Sequence, residues 1–450
     1  MADPRGIALA PANFIFDEPP TWERIDTSYN VTSWQIDKGR QNEMSRTGTG
    51  TASFELIDRV GDFDPTNTSG AFYGRLPGLS DRPMGPLVPA AICLQDPVDS
   101  DWTTLFRGYI SSIQWTPYQS ERWANVHIDL VDALALFAAA EMTPGVRTDG
   151  IHWGDDVIDG NIVFNENVLL HAVQDRINSV LDSLYWPSAL RRIFTGNVGL
   201  QQSSYAPRST ALQVMQDAAD AEFPDMSNLY IGGPRWPGYV VFHGRKARFN
   251  PSDSDYDIHW WYLADDVNAA SDPATFVRIS PPLEVFLDDT SLYTSALATY
   301  YGIADIDLAA QYVQDDAAVA LEGLRTWTAE GLYTRNGEGP TTGGQETQRF
   351  AYFIRDNFKY ANVRVGQVTI KHRDPSSIWG AATWQLFGLV ELSDLVLLTT
   401  THAGGGGFAG TKFYVEGIHY TARPGPSYPI VELTLDLSPA DFYDTNPWGD

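Results

Sequence analysis

Residues 31–67 read VTSWQIDKGRQNEMSRTGTGTASFELIDRVGDFDPTN. Two strand-like runs stand out. Val31–Ile36 puts Trp34 and Ile36 on one face, and Thr51–Ile57 puts Phe54 and Leu56 on one face. Between them lies a polar, basic connector, from Lys38-Gly39-Arg40 to Arg46-Thr47-Gly48. After them comes the turn Phe63-Asp64-Pro65-Thr66-Asn67, in which Pro fixes φ while Asp and Asn cap the bend. No residue type here has catalytic spacing. The stretch reads as a strand pair built to assemble.

Working outward, Val88–Leu94, Leu105–Ile113 and Val126–Val131 extend the two strands, and Val126, Ile128 and Leu130 alternate with polar residues. Residues 29–143 are therefore expected to form a first β-barrel domain. Residues 1–28 are Pro-rich and read as an irregular N-terminal arm. Residues 144–275 change character and read as an α+β intermediate domain. Leu169, Val173, Ile177, Val180 and Leu184 fall at helical spacing before Pro187. Thr210 is a candidate N-cap for a helix with Leu212, Met215, Ala219 and Phe223 on one face. The strand pair Asn228–Ile231 and Tyr239–Phe242 follows. Residues 276–450 return to strands, as a second β-barrel domain with an embedded helix at about 345–358. The fold class expected is mainly β with an inserted α+β unit.

Two hairpins look related. Phe106-Arg107-Gly108 leads through Pro117 to a strand ending Asp129-Leu130, and Tyr414-Val415-Glu416-Gly417 leads through Pro424 to a strand ending Asp436-Leu437. A duplicated barrel would give this pattern, and so would two unrelated hairpins.

The chain has 57 acidic against 30 basic residues, a net charge of −27, which argues against gripping nucleic acid or an anionic membrane surface. It suits high solubility, or a surface that DNA passes without sticking. The aromatic content, with 14 Trp, 21 Tyr and 21 Phe, favours β-rich architecture or broad contact surfaces. The single cysteine, Cys93, reads as a buried strand thiol, so no disulfide framework is expected. The N-terminus lacks the features of a signal peptide, and the apolar run Leu134–Ala140 is too short to span a bilayer, so synthesis in a cytosol without a visible export signal is expected.

Candidate chemistry fails position by position. Glu416-x-x-His419 lies on a strand, where i and i+3 point to opposite faces. His152-Trp153-Gly154-Asp155-Asp156 reads as a solvated acidic turn rather than a metal site. Asp253-Ser254-Asp255-Tyr256-Asp257 resembles a calcium loop, but Ile258 and Ala264 stand where Gly and Glu are needed. The pairs Asp155/Asp156, Asp265/Asp266, Asp288/Asp289 and Asp315/Asp316 suit a glycosidase only if two of them flank a cleft. No nucleophile elbow, phosphate loop or zinc-protease motif occurs, and Gly404–Gly407 reads as an exposed hairpin loop. No catalytic, cofactor-binding or metal residue is predicted, and no enzyme.

The opening motif resembles the minor tail proteins of actinobacterial siphophages. The residues that carry the likeness are Trp34–Arg40, Gly50–Leu56, Phe63–Asn67, Leu105–Ile110, Asp132–Leu136, Ser209–Gln213 and Val415–His419. The resemblance implies a tail-tip, or baseplate, hub with two β-barrel domains per chain, so that three chains give a ring of six barrels. Such a hub closes the sixfold tail tube, converts it to threefold symmetry and leaves a lumen for DNA ejection. It implies a homotrimer in the virion tail tip, made in the host bacterial cytoplasm. Its expected partners are a distal tail protein, a tape measure protein and other minor tail proteins, with DNA passing unbound and no membrane insertion. Since the chain stops at Asp450, fibre or cell-wall-cleaving additions are not expected. The rival readings are a hexameric distal tail adaptor, a peripheral host-contacting tip protein, and a cell-wall glycan hydrolase or sugar-binding β-protein.

Overall fold

The alternation in the opening stretch becomes a ladder. In the computed structural model of the chain, the first strands are β1 (Arg5–Leu9), β2 (Glu23–Arg24), β3 (Asn30–Gly39), β4 (Thr51–Asp58), β5 (Pro89–Gln95), β6 (Trp102–Pro117) and β7 (Ala124–Val131). The structure describes residues 5–9, 21–26, 29–75, 81–96, 100–118, 123–142, 156–158, 161–164, 172–200, 203–206, 208–224, 226–269, 275–287, 291–301, 311–334, 343–372, 377, 380–402, 404–423 and 430–444. β3 and β4 pair antiparallel with Trp34 opposite Phe54 and Ile36 opposite Ala52. That register puts Trp34, Ile36, Phe54 and Leu56 together in the core. The following turn is capped as its sequence predicts. Asp64 Oδ1 accepts from the Thr66 amide at 2.8 Å, and the Asn67 side chain donates to Gly61 O at 2.8 Å.

Next come β8 (Asp156–Ile158), β9 (Asn161–Phe164), β10 (Arg191–Ile193), β11 (Ser203–Tyr205), β12 (Asn228–Ile231) and β13 (Val240–His243), with helices Val173–Ser183 and Ala211–Glu222. Thr210 caps the second helix, accepting from Gln213 N. The two helices bury Val173, Ile177, Val214 and Met215 in a core of their own. Leu169, placed on the first helix from its spacing, lies outside the described residues.

The remaining strands are β14 (Trp260–Ala264), β15 (Val277–Arg278), β16 (Val285–Leu287), β17 (Ser295–Tyr300), β18 (Tyr312–Gln314), β19 (Thr326–Leu332), β20 (Val363–Val365), β21 (Gln367–Lys371), β22 (Leu395–Thr401), β23 (Gly407–Arg423) and β24 (Ile430–Pro439). β14 and β15 join β21–β24 and the whole of β1–β7 in one 13-stranded sheet. The chain is thus mainly β, with helices inserted between strand groups.

Within that sheet one pattern occurs twice. The neighbours run β4-β7-β6-β5 in the first half and β21-β24-β23-β22 in the second, and both follow the same sequence order. The likeness reaches single residues. Tyr109 opposes Pro89 and Val131, and Tyr414 opposes Leu395 and Ser438. The next residues, Ile110 and Val415, each exchange backbone bonds with a left-handed corner. Leu87 N donates to Ile110 O at 2.8 Å, Ser393 N donates to Val415 O at 2.9 Å, and φ is 71° at Leu87 and 73° at Ser393. Each long strand then bulges by one residue, at Ser111 and at Glu416, against the Asp-Leu of its return strand. The duplicated hairpin is therefore present, but its sequence alignment shifts. Tyr109 and Ser112, rather than Phe106 and Gly108, occupy the places of Tyr414 and Gly417.

Each half curls on itself. In the second, Ile279 N donates to Ala264 O at 2.9 Å and Ser280 N to Thr369 O at 2.7 Å, so β14, β22, β23, β24, β21 and the segment after β15 close a circle. In the first, β5 pairs with β1, β1 with β2, and the chain leads from β2 back into β3.

Several local expectations change. Arg5–Leu9, read as irregular lead-in, is a strand between β5 and β2, with Ile7 and Leu9 buried. The apolar alternation there is real, but it is short and sits among prolines. Cys93 is half-buried rather than buried, its Sγ 3.6 Å from Thr104 Oγ1. Helix Gly380–Leu389 was not read from the sequence because it is apolar all round.

Candidate functional site

The sequence motifs singled out for chemistry do not converge. His152, Asp155, Asp288 and Asp289 lie outside the described residues. Asp315 is a helix N-cap, accepting from Ala318 N at 3.0 Å and paired with Lys359 at 2.9 Å. Asp265 holds a local turn by accepting from Asn268 N and ties it to the end of β22 by accepting from Thr401 N. Asp253 accepts from Asp255 N in a 3-10 turn. Among the described residues no cluster of three or more His, Cys, Asp or Glu side chains could hold a metal ion, and no helix is long and apolar enough to cross a membrane. The hairpin tip at Gly404–Gly406 is open, with nothing near where their Cβ atoms would sit.

What converges is the basic connector of the opening stretch. Three of its charges, Lys38, Arg40 and Glu43, are buried, while Arg46 is exposed. Arg40 Nε donates to Glu416 Oε2 at 2.8 Å, and Arg248 donates to both oxygens of the same carboxylate at 2.8 and 3.0 Å. Ser438 Oγ adds a bond at 2.6 Å, and both arginines share Asn228 Oδ1 at 3.2 and 3.0 Å. Arg40 also donates to the carbonyls of Ser45, Met226 and Ser227. Burial acts to raise the Glu416 carboxyl, but the charges of Arg248 and Arg40 and the donated bonds outweigh it and hold it at about 2. The cluster ties the first strand group, the helical unit and the second strand group into one buried network.

Neighbouring connector residues repeat the design. Glu43 takes a bidentate bond from Arg364 at 3.0 and 2.6 Å, and both are buried. Arg46 reaches Asp217 and Asp220 on helix Ala211–Glu222. Lys38 is buried with Glu391 and Asp132 as its charged neighbours, and burial pulls its ammonium down. Asp132 caps the helix after β7, and burial pushes its carboxyl up to about 7 against the bond from Gly50 and the charge of Lys38. Glu391 accepts from Gly233 N at 2.8 Å and is raised by burial. Sequence reasoning missed these residues, because charged connectors are ordinarily solvated.

Gly39 makes the crossing possible. Its φ is +93°, and a Cβ there would lie 2.2 Å from Glu416 O. At this point β23 changes partners. Residues 407–414 pair with β22, the Arg40 amide bonds Glu416 O at 2.8 Å, and residues 417–422 pair with β3. The two strand groups become one sheet through this exchange.

The pairing gives the sheet a single polar face. From β6 to β21 it carries Ser112 and Gln114, His127 and Asp129, Ser53 and Glu55, then Ser33, Gln35 and Asp37, His419 and Thr421, Glu432 and Thr434, and Thr369 and Lys371, with Glu55 opposite His127 and Ser33 and with Asp37 opposite Thr51 and His419. The other side of the same strands is core. The charges on the polar face are internally matched. His127 Nε2 lies 2.9 Å from Asp129, and Lys371 and Arg423 both approach Glu432. At the seam between the halves, His419 is bonded to Asp37 at 2.9 Å and Asp436 at 2.7 Å. Those two bonds, against burial, raise the imidazole to about 9.

No protein-family model matches the chain, and no curated protein matches its sequence. Solved structures do resemble it. It is similar to the tail protein from Neisseria meningitidis MC58, with a TM-score of 0.54 and 9% identity over 97% of this chain and 96% of that one. It is also similar to the 43 kDa tail protein of prophage MuSo2 from Shewanella oneidensis, with a TM-score of 0.51 and 9% identity over 99% of both chains. The likeness is one of fold, and it runs through the whole length of each chain.

Proposed function

We infer that this chain is a structural component of a phage tail, and that its place is the tail tip. There it acts as a hub that closes the tube and converts sixfold to threefold symmetry. The observation that carries the reading is the pair of equivalent strand units fused into one sheet by β23. A ring of three such chains offers six similar units to a sixfold tube and three identical chains to whatever lies beyond. The whole-length likeness to two tail proteins supports the tail part of the reading.

The polar face supplies the passage. It spans strands from β6 to β21, and among the described residues its cations lie beside its own carboxylates. Facing a lumen, such a wall offers DNA phosphates no free cluster of positive charge. The function proposed is therefore mechanical and non-enzymatic, with a distal tail protein, a tape measure protein and other minor tail proteins as neighbours in the virion. In this reading the segments expected at 29–143, 144–275 and 276–450 are first barrel, spacer and second barrel, with β1 and β2 from residues 1–28 added to the first barrel and β14 from the spacer added to the second.

Copy number in purified tails tests it. Three copies per tail, in contact with the tube end, support a hub. Six copies mean a distal adaptor. Absence from tails, together with activity on host cell wall, means an enzyme.

A further inference from the structure

We propose that the helical unit carries a binding groove for an uncharged linear oligosaccharide, with Tyr185 as its stacking platform. The inference goes beyond the hub reading and does not depend on copy number. It starts at the end of helix Val173–Ser183. Tyr185 N donates to Asp182 O at 3.0 Å and Trp186 N to Leu181 O at 2.9 Å, the two bonds of a Schellman cap. Such a cap turns on a left-handed residue, usually glycine, because a side chain is strained there. Here the residue is Tyr185, with φ at 56°. Burial does not offset the strain, since Tyr185 is 54% exposed while Trp186 beside it fills the core. A large aromatic therefore stands at the surface where the backbone favours glycine. An outlier of this kind points to a role outside the fold.

Tyr185 borders a groove of about 680 Å³ along the helix, lined also by Asn178, Ser179, Asp182, Ser188 and Arg191. A second cavity of about 600 Å³ is lined by Arg191, Arg192, Thr195, Ser254 and Asp255. Arg191 borders both, so the two form one path. Each has the size of a small-ligand site. Its polar groups are set in advance. Arg191 donates to Asp182 Oδ1 at 2.6 Å and also to Trp186 O. The Arg191 side chain is thereby held at 11% exposure, while that of Asp182 keeps 63%. The Asn178 amide, half-buried beside them, has no hydrogen-bond partner among the described residues.

This chemistry selects the ligand. An aromatic face is electron-rich and suits the C–H face of a pyranose ring. Planar amide, carboxylate and guanidinium groups beside it donate and accept together, as neighbouring sugar hydroxyls require. Charge argues against the alternatives. The path sets Asp175, Asp182 and Asp255 against Arg191 and Arg192, and Asp182 already pairs Arg191. It therefore offers no cluster of free cations to a phosphate or an anionic polymer. The net charge of −27 repels such polymers at a distance. Two cavities in line fit a chain of sugars better than a single ring. For a tail component, an uncharged polysaccharide of the host surface is the ligand of this class.

The test is calorimetric titration of the full-length chain with maltopentaose, cellopentaose and chitopentaose, and with pentagalacturonate as the charged counterpart. The expected result is binding of at least one neutral sugar with a Kd of about 1 mM or tighter, and no binding of pentagalacturonate. Tyr185→Gly should weaken that binding about tenfold or more, while its urea midpoint should not fall, because glycine suits the left-handed cap. Tyr185→Phe should bind as the parent does, and Asn178→Ala should bind more weakly. No heat from any of the neutral sugars at about 10 mM overturns the groove. Binding that survives Tyr185→Gly overturns it too, as does a preference for pentagalacturonate. A midpoint that drops in Tyr185→Gly makes the ring a packing residue and also overturns it. None of these results bears on copy number, so loss of the groove leaves the hub reading standing.

Discussion

Arg40 and Glu416 lie 376 residues apart in the sequence and 2.8 Å apart in the fold. Arg40 belongs to the strand pair that opens the first half, and Glu416 is the bulge where β23 leaves its own half to pair with β3. Their bond, completed by Arg248, fixes how the two halves sit in one sheet. A buried ion cluster of this kind contributes less than its Coulomb energy suggests, because desolvation offsets the attraction. Its consequence is geometric: other arrangements of the halves leave these charges buried and unpaired.

Glu416→Gln should therefore destabilise the chain by about 3–5 kcal/mol, since two buried arginines lose their counter-charge. Urea unfolding followed by tryptophan fluorescence measures this. The Glu416 carboxyl sits below its ordinary value, so its contribution is complete above about pH 4.5 and is lost as pH falls toward about 2. A loss under 1 kcal/mol for Glu416→Gln would remove the cluster from the joint.

Gly39→Ala should cost about 2–4 kcal/mol, because it combines a left-handed backbone with a backbone collision at Glu416 O. Gly406→Ala is the control. Nothing lies near the Cβ it would add, so its midpoint should match the parent in the same urea titration.

His419 gives a pH dependence of opposite sign. Its folded value, about 9, lies above the ordinary 6.5, so the stabilisation is fully present below pH 6.5 and is lost as pH rises to about 9. The change is roughly 1–3 kcal/mol once solvent screening at the exposed Asp37 is allowed for. Thermal melts between pH 6 and 10 should show the loss in the parent and a flatter profile in His419→Gln. Equal slopes would mean that the imidazolium does not hold the seam.

Much of the fold was legible where one face is buried and the other wet. Trp34 and Ile36 against Phe54 and Leu56 gave the first ladder, and Thr210 gave a helix start that its side chain makes. Long-range partnership was not legible. Nothing local distinguishes Arg40, buried against Glu416, from a solvated loop arginine, and Glu416 reads as an ordinary strand acid. The repeat was visible only at Asp129-Leu130 and Asp436-Leu437, because bulges and left-handed corners such as Leu87 and Ser393 constrain the backbone more than the residue type. Arg5–Leu9 was hidden by its shortness, and Gly380–Leu389 by having no polar face.

The most direct measurement is the symmetry of this chain in an intact tail tip, by cryo-EM. The prediction is three copies in a closed ring at the end of the tube, each contributing both strand units so that six similar units meet the last tube ring, with the polar face lining the passage. Six copies related by a sixfold axis, each presenting only one unit to the tube, would contradict it, as would a single copy outside the ring.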